Sequence, residues 1–210
     1  MDGDALAEVI RGAQRGDTAA YDRLVDLYSG RLFGFLYRLT ASRHDAEDLM
    51  QEVFVRLVRM LHAYTHDGRF EAWLFRIAAN LVRDRVRRAV RTPRTSTGLG
   101  GGNEEDSPAD AFEDVSAVDV SVEQRMVLAE ETDRLNAALA ALPDAEREVV
   151  LLRHFSQLSF KEIADLMGTP LGTALARGHR GLQRLRELMT PEGGGHNGGP
   201  GSRQAAAKAG

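Results

Sequence analysis

Two helical blocks joined by a flexible acidic linker are the all-α architecture that this sequence predicts. Three observations predict it. Apolar residues recur at three- and four-residue steps through residues 1–94 and 122–190. No stretch alternates apolar and polar residues as a half-buried strand would. Residues 95–121 carry seven acids, no cation and few large apolar groups, so they read as a linker without a core of its own.

The elements follow in order. Leu6, Val9, Ile10 and Ala13 mark a short first helix that ends near Gly16. Asp17 is placed to cap the second helix, because its side chain can accept from an unpaired amide of the first turn. The stripe Tyr21, Leu24, Val25, Tyr28, Leu32, Leu36 and Leu39 carries that helix to about Thr40. A third helix runs from Asp45 to about Leu61, with Leu49, Val53, Leu57 and Leu61 at steps of four. The loop 62–69 precedes a fourth helix from Phe70 to about Arg91. In the second block a long helix begins at Val122 and stops before Pro143. Another spans 144–155. Ser159 and Glu162 form a capping box for a short helix reaching Met167. Gly168 fits a left-handed stop. Thr169 is expected to cap the last helix, with Pro170 at its first position. Residues 191–210 are Gly-rich and lack core-forming groups; no function is assigned to them.

Composition excludes several classes. The chain has no cysteine, which removes disulfides, thiolate metal sites and cysteine nucleophiles. His62 and His66 are four apart, but no third ligand stands near them in sequence, so neither a metal nor a cofactor is expected. No apolar run is long enough to span a bilayer, and the acidic N-terminus lacks the basic start of a signal peptide. No membrane association is expected, and the cytoplasm is the expected compartment. The net charge of −4 conceals a division: 1–94 carries +3, 95–121 carries −7, and 122–190 is close to neutral.

The fourth helix holds the densest charge. Seven arginines and one acid lie between Arg76 and Arg94. Phe70, Leu74, Ile77 and Leu81 step by four, three and four, and so do Arg76, Asn80, Arg83 and Arg87 on an adjoining face. One helix can thus be anchored in a core and still present guanidinium groups and an amide to a polyanion. An Asn among arginines can read a base edge; a merely solvated arginine face is the alternative. In the second block, a capped helix, a Gly turn and a helix opening with Thr-Pro make a helix-turn-helix signature. Its second helix carries Arg177, Arg180, Arg184 and Arg186 before its first acid. A plain αα-hairpin is the alternative there.

Four stretches resemble bacterial RNA polymerase sigma factors of the extracytoplasmic-function group. Residues 16–28, GDTAAYDRLVDLY, resemble the opening helix of sigma region 2. Residues 45–58, DAEDLMQEVFVRLV, are similar to the family's D-A-E-D-L-x-Q-E-V-F segment. Residues 70–88 are similar to F-x-A-W-L-x-R-I-A-x-N, the promoter −10 reader. Residues 138–187 resemble sigma region 4, the −35 reader. The resemblance covers nearly all of 1–190. It implies a region 2 bundle over 1–94, the linker over 95–121, a region 4 helix-turn-helix over 122–190 and a disordered tail over 191–210.

The resemblance also implies roles. Asp45, Asp48, Gln51, Glu52 and Arg56 would meet the β′ clamp helices of core RNA polymerase, with the β flap as a further contact. Tyr64 and Phe70 would receive a flipped −10 base, Asn80 would bond its edge, and Arg76, Arg83 and Arg87 would hold phosphates. Trp73 is expected in the core rather than as a stacking platform. Lys161, Thr169, Thr173, Arg177, His179, Arg180 and Arg184 would face the −35 element. An anti-sigma factor is a possible further partner. The acidic linker is either a solubilising tether or a stand-in for RNA in the polymerase exit path. The chain would have no catalytic residues, act as an alternative initiation factor and join the nucleoid only within holoenzyme. One departure stands out. The family's recognition helix commonly reads G-T-V-K-S-R-L, whereas here it is Gly172-Thr173-Ala174-Leu175-Ala176-Arg177-Gly178. A Lys and a Ser are lost, and Gly178 replaces an apolar residue at about 1 kcal/mol of helix propensity. Rival readings are a stand-alone helix-turn-helix regulator, a helical enzyme and an adaptor for an acidic partner.

Overall fold

The computed structural model describes residues 3–91 and 122–190, and every regular element among them is helical. The expected linker, the tail and residues 92–94 lie outside the described residues. Eight α-helices and one 3₁₀ turn follow in order: α1 Gly3–Gln14, α2 Thr18–Thr40, α3 Arg43–Met60, the 3₁₀ turn Leu61–Ala63, α4 Phe70–Arg91, α5 Val122–Ala140, α6 Asp144–Phe155, α7 Phe160–Met167 and α8 Leu171–Met189.

The start signals act as expected at most positions. Asp17 caps α2 by accepting from the Ala19 amide at 3.0 Å. Helix α3 begins earlier than expected because Ser42 caps it, accepting from the Asp45 amide at 3.2 Å. The Ser159–Glu162 capping box is complete in both directions. Gly168 stops α7 at φ 62°, the left-handed conformation that a Cβ disfavours. The start of α8 corrects the sequence reading by one residue: Pro170 is its cap and Leu171 its first residue. The Thr169 hydroxyl does not cap; it is buried without a hydrogen-bond partner.

Helices α1 to α4 enclose one core. Leu24, Leu32, Phe35 and Leu36 of α2 meet Leu49, Val53 and Leu57 of α3 and Phe70, Leu74, Phe75, Ile77 and Leu81 of α4, all of them buried. The apolar stripe expected on α4 is therefore the face that packs. Helices α5 to α8 form a second body around Leu139, Val149, Leu152, Leu158 and Ile163.

The two bodies touch. Phe155, at the end of α6, lies against Phe35 and Phe75 of the first core, with ring centroids 5.7 and 6.0 Å away. Arg38 stacks over the Phe155 ring at 5.7 Å, and Arg31 donates to the Phe155 carbonyl at 3.2 Å.

The glycines of α8 have a packing reason. A Cβ on Gly178 would sit 2.6 Å from the Phe160 ring, and one on Gly181 would sit 2.8 Å from Val150 Cγ2. Their absent side chains let α8 press against α6 and α7, which offsets the helix propensity lost. By contrast, a Cβ on Gly172 meets nothing within 4 Å. Thermal denaturation should separate the two cases. Gly178→Ala is expected to lower stability by about 1–3 kcal/mol through overpacking. Gly172→Ala is expected to raise it by up to about 1 kcal/mol. Equal stabilisation by both would remove the packing explanation.

Candidate nucleic-acid interface

Helix α4 turns its stripes as the spacing requires. With Leu74, Ile77 and Leu81 buried, Arg76, Asn80 and Arg87 emerge exposed, Arg87 paired to Asp84 one turn back. Arg85 reaches across to Asp45 of α3. Asp45 is thus the half-buried member of the acidic face and already holds a cation. Asp48, Gln51 and Glu52 remain exposed; Asp48 lies 3.6 Å from His44, and Glu52 accepts from Arg56 at 2.9 Å. Val55 and Val58, each about half exposed, interrupt this polar surface with apolar contact area. Sequence reasoning did not single them out, although both lie off the Leu49–Val53–Leu57 stripe that packs.

Arg83 behaves differently from its neighbours. It donates to the carbonyls of Leu166 and Met167, the latter at 2.8 Å, and lies 3.7 Å from Glu148. Those carbonyls end α7, where unpaired acceptors and the helix dipole favour a cation. Burial pushes the Glu148 carboxyl up, against the pull of Arg83 and Arg177. A second tie lies nearby: Arg69 meets Glu162 at 2.6 Å. Helix α4 and the loop before it therefore abut the second body through ionic and dipolar contacts that link residues more than eighty positions apart.

The loop before α4 is an aromatic cluster. Tyr64 lies 4.6 Å from Trp73 and 5.6 Å from Phe70, and Phe70 lies 5.5 Å from Tyr28. Phe70 is fully buried, so the expectation that it stacks on a base is corrected: as the first residue of α4 it plugs the core beneath the loop. Tyr64 is partly exposed, and so is Trp73, which packs against the core without being enclosed by it. Burial, reinforced by the Asp67 charge, pushes the Tyr64 phenol up to about 12, so it keeps its proton. Gln14, which sequence reasoning missed, fixes the loop from below by donating to the carbonyls of Leu61 and Tyr64 at 3.0 and 2.7 Å. Among the described residues no three metal-ligating side chains converge, and His62 and His66 find no third partner.

In the second body, Lys161 and His179 are exposed, and Thr173 and Arg177 half-exposed. Arg180 and Arg184 both donate to Glu146 of α6, at 3.0 and 2.5 Å. Glu146 is 6% exposed. Burial works against its charge, but the two guanidiniums keep its carboxyl below the usual range. Glu146 was not found from the sequence because its partners lie 34 and 38 residues away. Beside this fork an open apolar groove of about 500 Å³ runs between Leu135, Leu139, Val150, Phe155, Leu182 and Leu185.

The family model for Sigma-70 region 2 matches residues 24–92, and that for Sigma-70 region 4 matches residues 132–185. The chain is 30% identical over 180 residues to the ECF RNA polymerase sigma factor SigW of Bacillus subtilis, covering 86% of this chain and 94% of SigW. The chain belongs to the ECF RNA polymerase sigma factors. It is also 39% identical over 177 residues to the sigma factor SigE of Mycolicibacterium smegmatis, covering 83% of this chain and 64% of that one. The fold is similar to that of the sigma factor RpoE in its complex with the anti-sigma factor NepR from Bartonella quintana, at a TM-score of 0.50 and 22% identity over 81% of this chain and 96% of that one. This sigma factor accordingly serves transcription initiation, with core RNA polymerase and promoter DNA as its partners. The region 2 match spans α3, α4 and most of α2; the region 4 match spans α6, α7, most of α8 and the second half of α5 from residue 132.

The Glu162 carboxyl is held down to about 2, first by Arg69 and then by Ser159, against the effect of burial. A group whose folded value lies below its ordinary 4.5 stabilises the fold above that pH, and the contribution fades as pH falls towards 2. Glu162→Gln should therefore flatten the acid limb of the melting-temperature profile between about pH 4.5 and 2. An unchanged limb would show that the Arg69 contact is not maintained in solution.

Proposed function

We propose that this sigma factor reads the −10 element with the exposed stripe of α4 and the −35 element with α7 and α8, while the exposed part of α3 grips core polymerase. The observation that carries this reading is α4, which has a fully apolar inner face and leaves Asn80 between Arg76 and Arg87 on its outer face. Guanidiniums hold phosphates, and an amide between them is placed for a base edge. With Phe70 inside the core, the partly exposed Tyr64 and Trp73 take over as the stacking surface for a displaced base.

Asp48, Gln51 and Glu52 are the groups for the β′ clamp helices, with Val55 and Val58 adding apolar contact. Charge complementarity there favours partner choice and on-rate more than raw affinity. The apolar groove beside α8 is the site for the β flap. The domain division is 1–94, 95–121, 122–190 and 191–210. The factor works without chemistry of its own and without a cofactor, in the cytoplasm, joining the nucleoid within holoenzyme. An anti-sigma factor would act by covering these same surfaces, a partner type supported by the RpoE–NepR complex.

Reconstituted transcription tests the reading. Purified chain plus core polymerase should initiate at a cognate promoter, and core polymerase alone should not. Asn80→Ala should reduce strand opening, followed by permanganate reactivity of unpaired thymines, by about tenfold while leaving closed-complex formation largely intact; the change corresponds to a lost base contact of about 1–3 kcal/mol. Equal loss at both steps would remove Asn80 from base recognition.

A further inference from the structure

Helix α8 presents three strips. Ala174, Gly178 and Gly181 are buried against the rest of the second body. At about 100° per residue, Thr173, Arg177, Arg180 and Arg184 fall on one flank, and Leu171, Leu175 and Leu182 on the other. Gly172, Ala176 and His179 lie outward between them.

The arginine flank is tied back. Arg180 and Arg184 are bonded to Glu146, and Arg177 is half-buried and pulls on the Glu148 carboxyl. What projects freely from the first two turns is apolar: Leu171 is 46% exposed and Leu175 is 45% exposed. Leu175 and Ala176 occupy these turns, and neither side chain can hydrogen-bond a phosphate or a base edge. The helix-turn-helix places these turns of its second helix in the major groove. The one apolar feature that a base edge offers there is the C5 methyl of thymine. His179, one turn on from Leu175 and exposed, and Lys161, exposed on α7, are cations or donors available to the duplex backbone.

We propose that Leu175, flanked by Leu171, reads a thymine methyl group in the −35 element, so that −35 specificity in this sigma factor rests on apolar contact. The proposal builds on the assignment of α7 and α8 to the −35 element. It makes Leu175 a specificity determinant rather than an anchor: phosphate contacts fix the helix in the groove, and the leucine selects among sequences that fit equally well.

The test uses full-length chain assembled with core polymerase. Selection from a random duplex library gives the enriched −35 sequence. Each of its thymines is then replaced by deoxyuridine, which lacks only the methyl group. At one or two positions the replacement should weaken binding about fourfold, the effect of losing one buried methyl. The Leu175→Ala holoenzyme should not distinguish the two bases at those positions, and Leu175→Lys should shift preference there from thymine towards guanine. Equal binding of thymine and deoxyuridine duplexes at every position would overturn the proposal. So would deoxyuridine sensitivity that survives in Leu175→Ala, or loss of polymerase assembly in that variant, which would make the leucine a protein contact. Enrichment of a −10 sequence with no −35 sequence would sink the −35 assignment itself, and the proposal with it.

Discussion

Helix α4 has to satisfy two solvents at once, and the rest of the molecule is arranged around that constraint. Its inner face buries Phe70, Leu74, Phe75, Ile77 and Leu81, which join α2 and α3 into one core. Removing that apolar area from water is the dominant favourable term for so small a body. The same burial fixes the rotation of the helix about its axis. Once Leu74, Ile77 and Leu81 point inward, Arg76, Asn80 and Arg87 have no direction left but outward. Core packing therefore also decides which side chains α4 can offer to a partner on the surface proposed above to meet the −10 element.

The second body uses a different device. Its recognition helix is held close by glycine rather than by large apolar side chains. Gly178 and Gly181 let α8 approach Phe160 and Val150, and Glu146 clamps Arg180 and Arg184 on the flank. A near-buried carboxylate with two guanidiniums fixes orientation more surely than it adds stability, because the desolvation of the carboxylate offsets much of the attraction. Rigid placement suits the groove-entering role proposed for α8. It also leaves the outward chemistry to residues unrelated to the clamp.

The helices were legible in the sequence wherever a local rule governs them. The three-and-four stepping placed α2, α4, α6 and α7 at their observed limits, and the Ser159–Glu162 box and Gly168 marked the ends of α7 correctly. At Thr169 the capping rule failed: Pro170 keeps an extended ψ of 146° and takes the cap position itself, so the helix begins one residue later. Non-local facts were not legible. Arg180 and Arg184 read as free cations until α6 supplies Glu146, whereas the burial of Phe70 follows its stripe with Leu74, Ile77 and Leu81 and overrides the base-stacking role that the family resemblance implied. The contacts of Phe155 with Phe35 and Phe75 join residues at least eighty positions apart, beyond the reach of any periodicity. The functional reading survived these gaps because it rested on motifs that are themselves local.

Arg83 carries one further meaning. Its guanidinium already has the Leu166 and Met167 carbonyls as partners, so a phosphate arriving there exchanges one set of acceptors for another. The net gain is the difference between the two sets. Neutral carbonyl dipoles are little affected by dissolved ions, whereas phosphate contacts weaken steeply as counterions accumulate. A phosphate contact at Arg83 would therefore be the part of its bonding most weakened by salt, while its ties to the end of α7 persist.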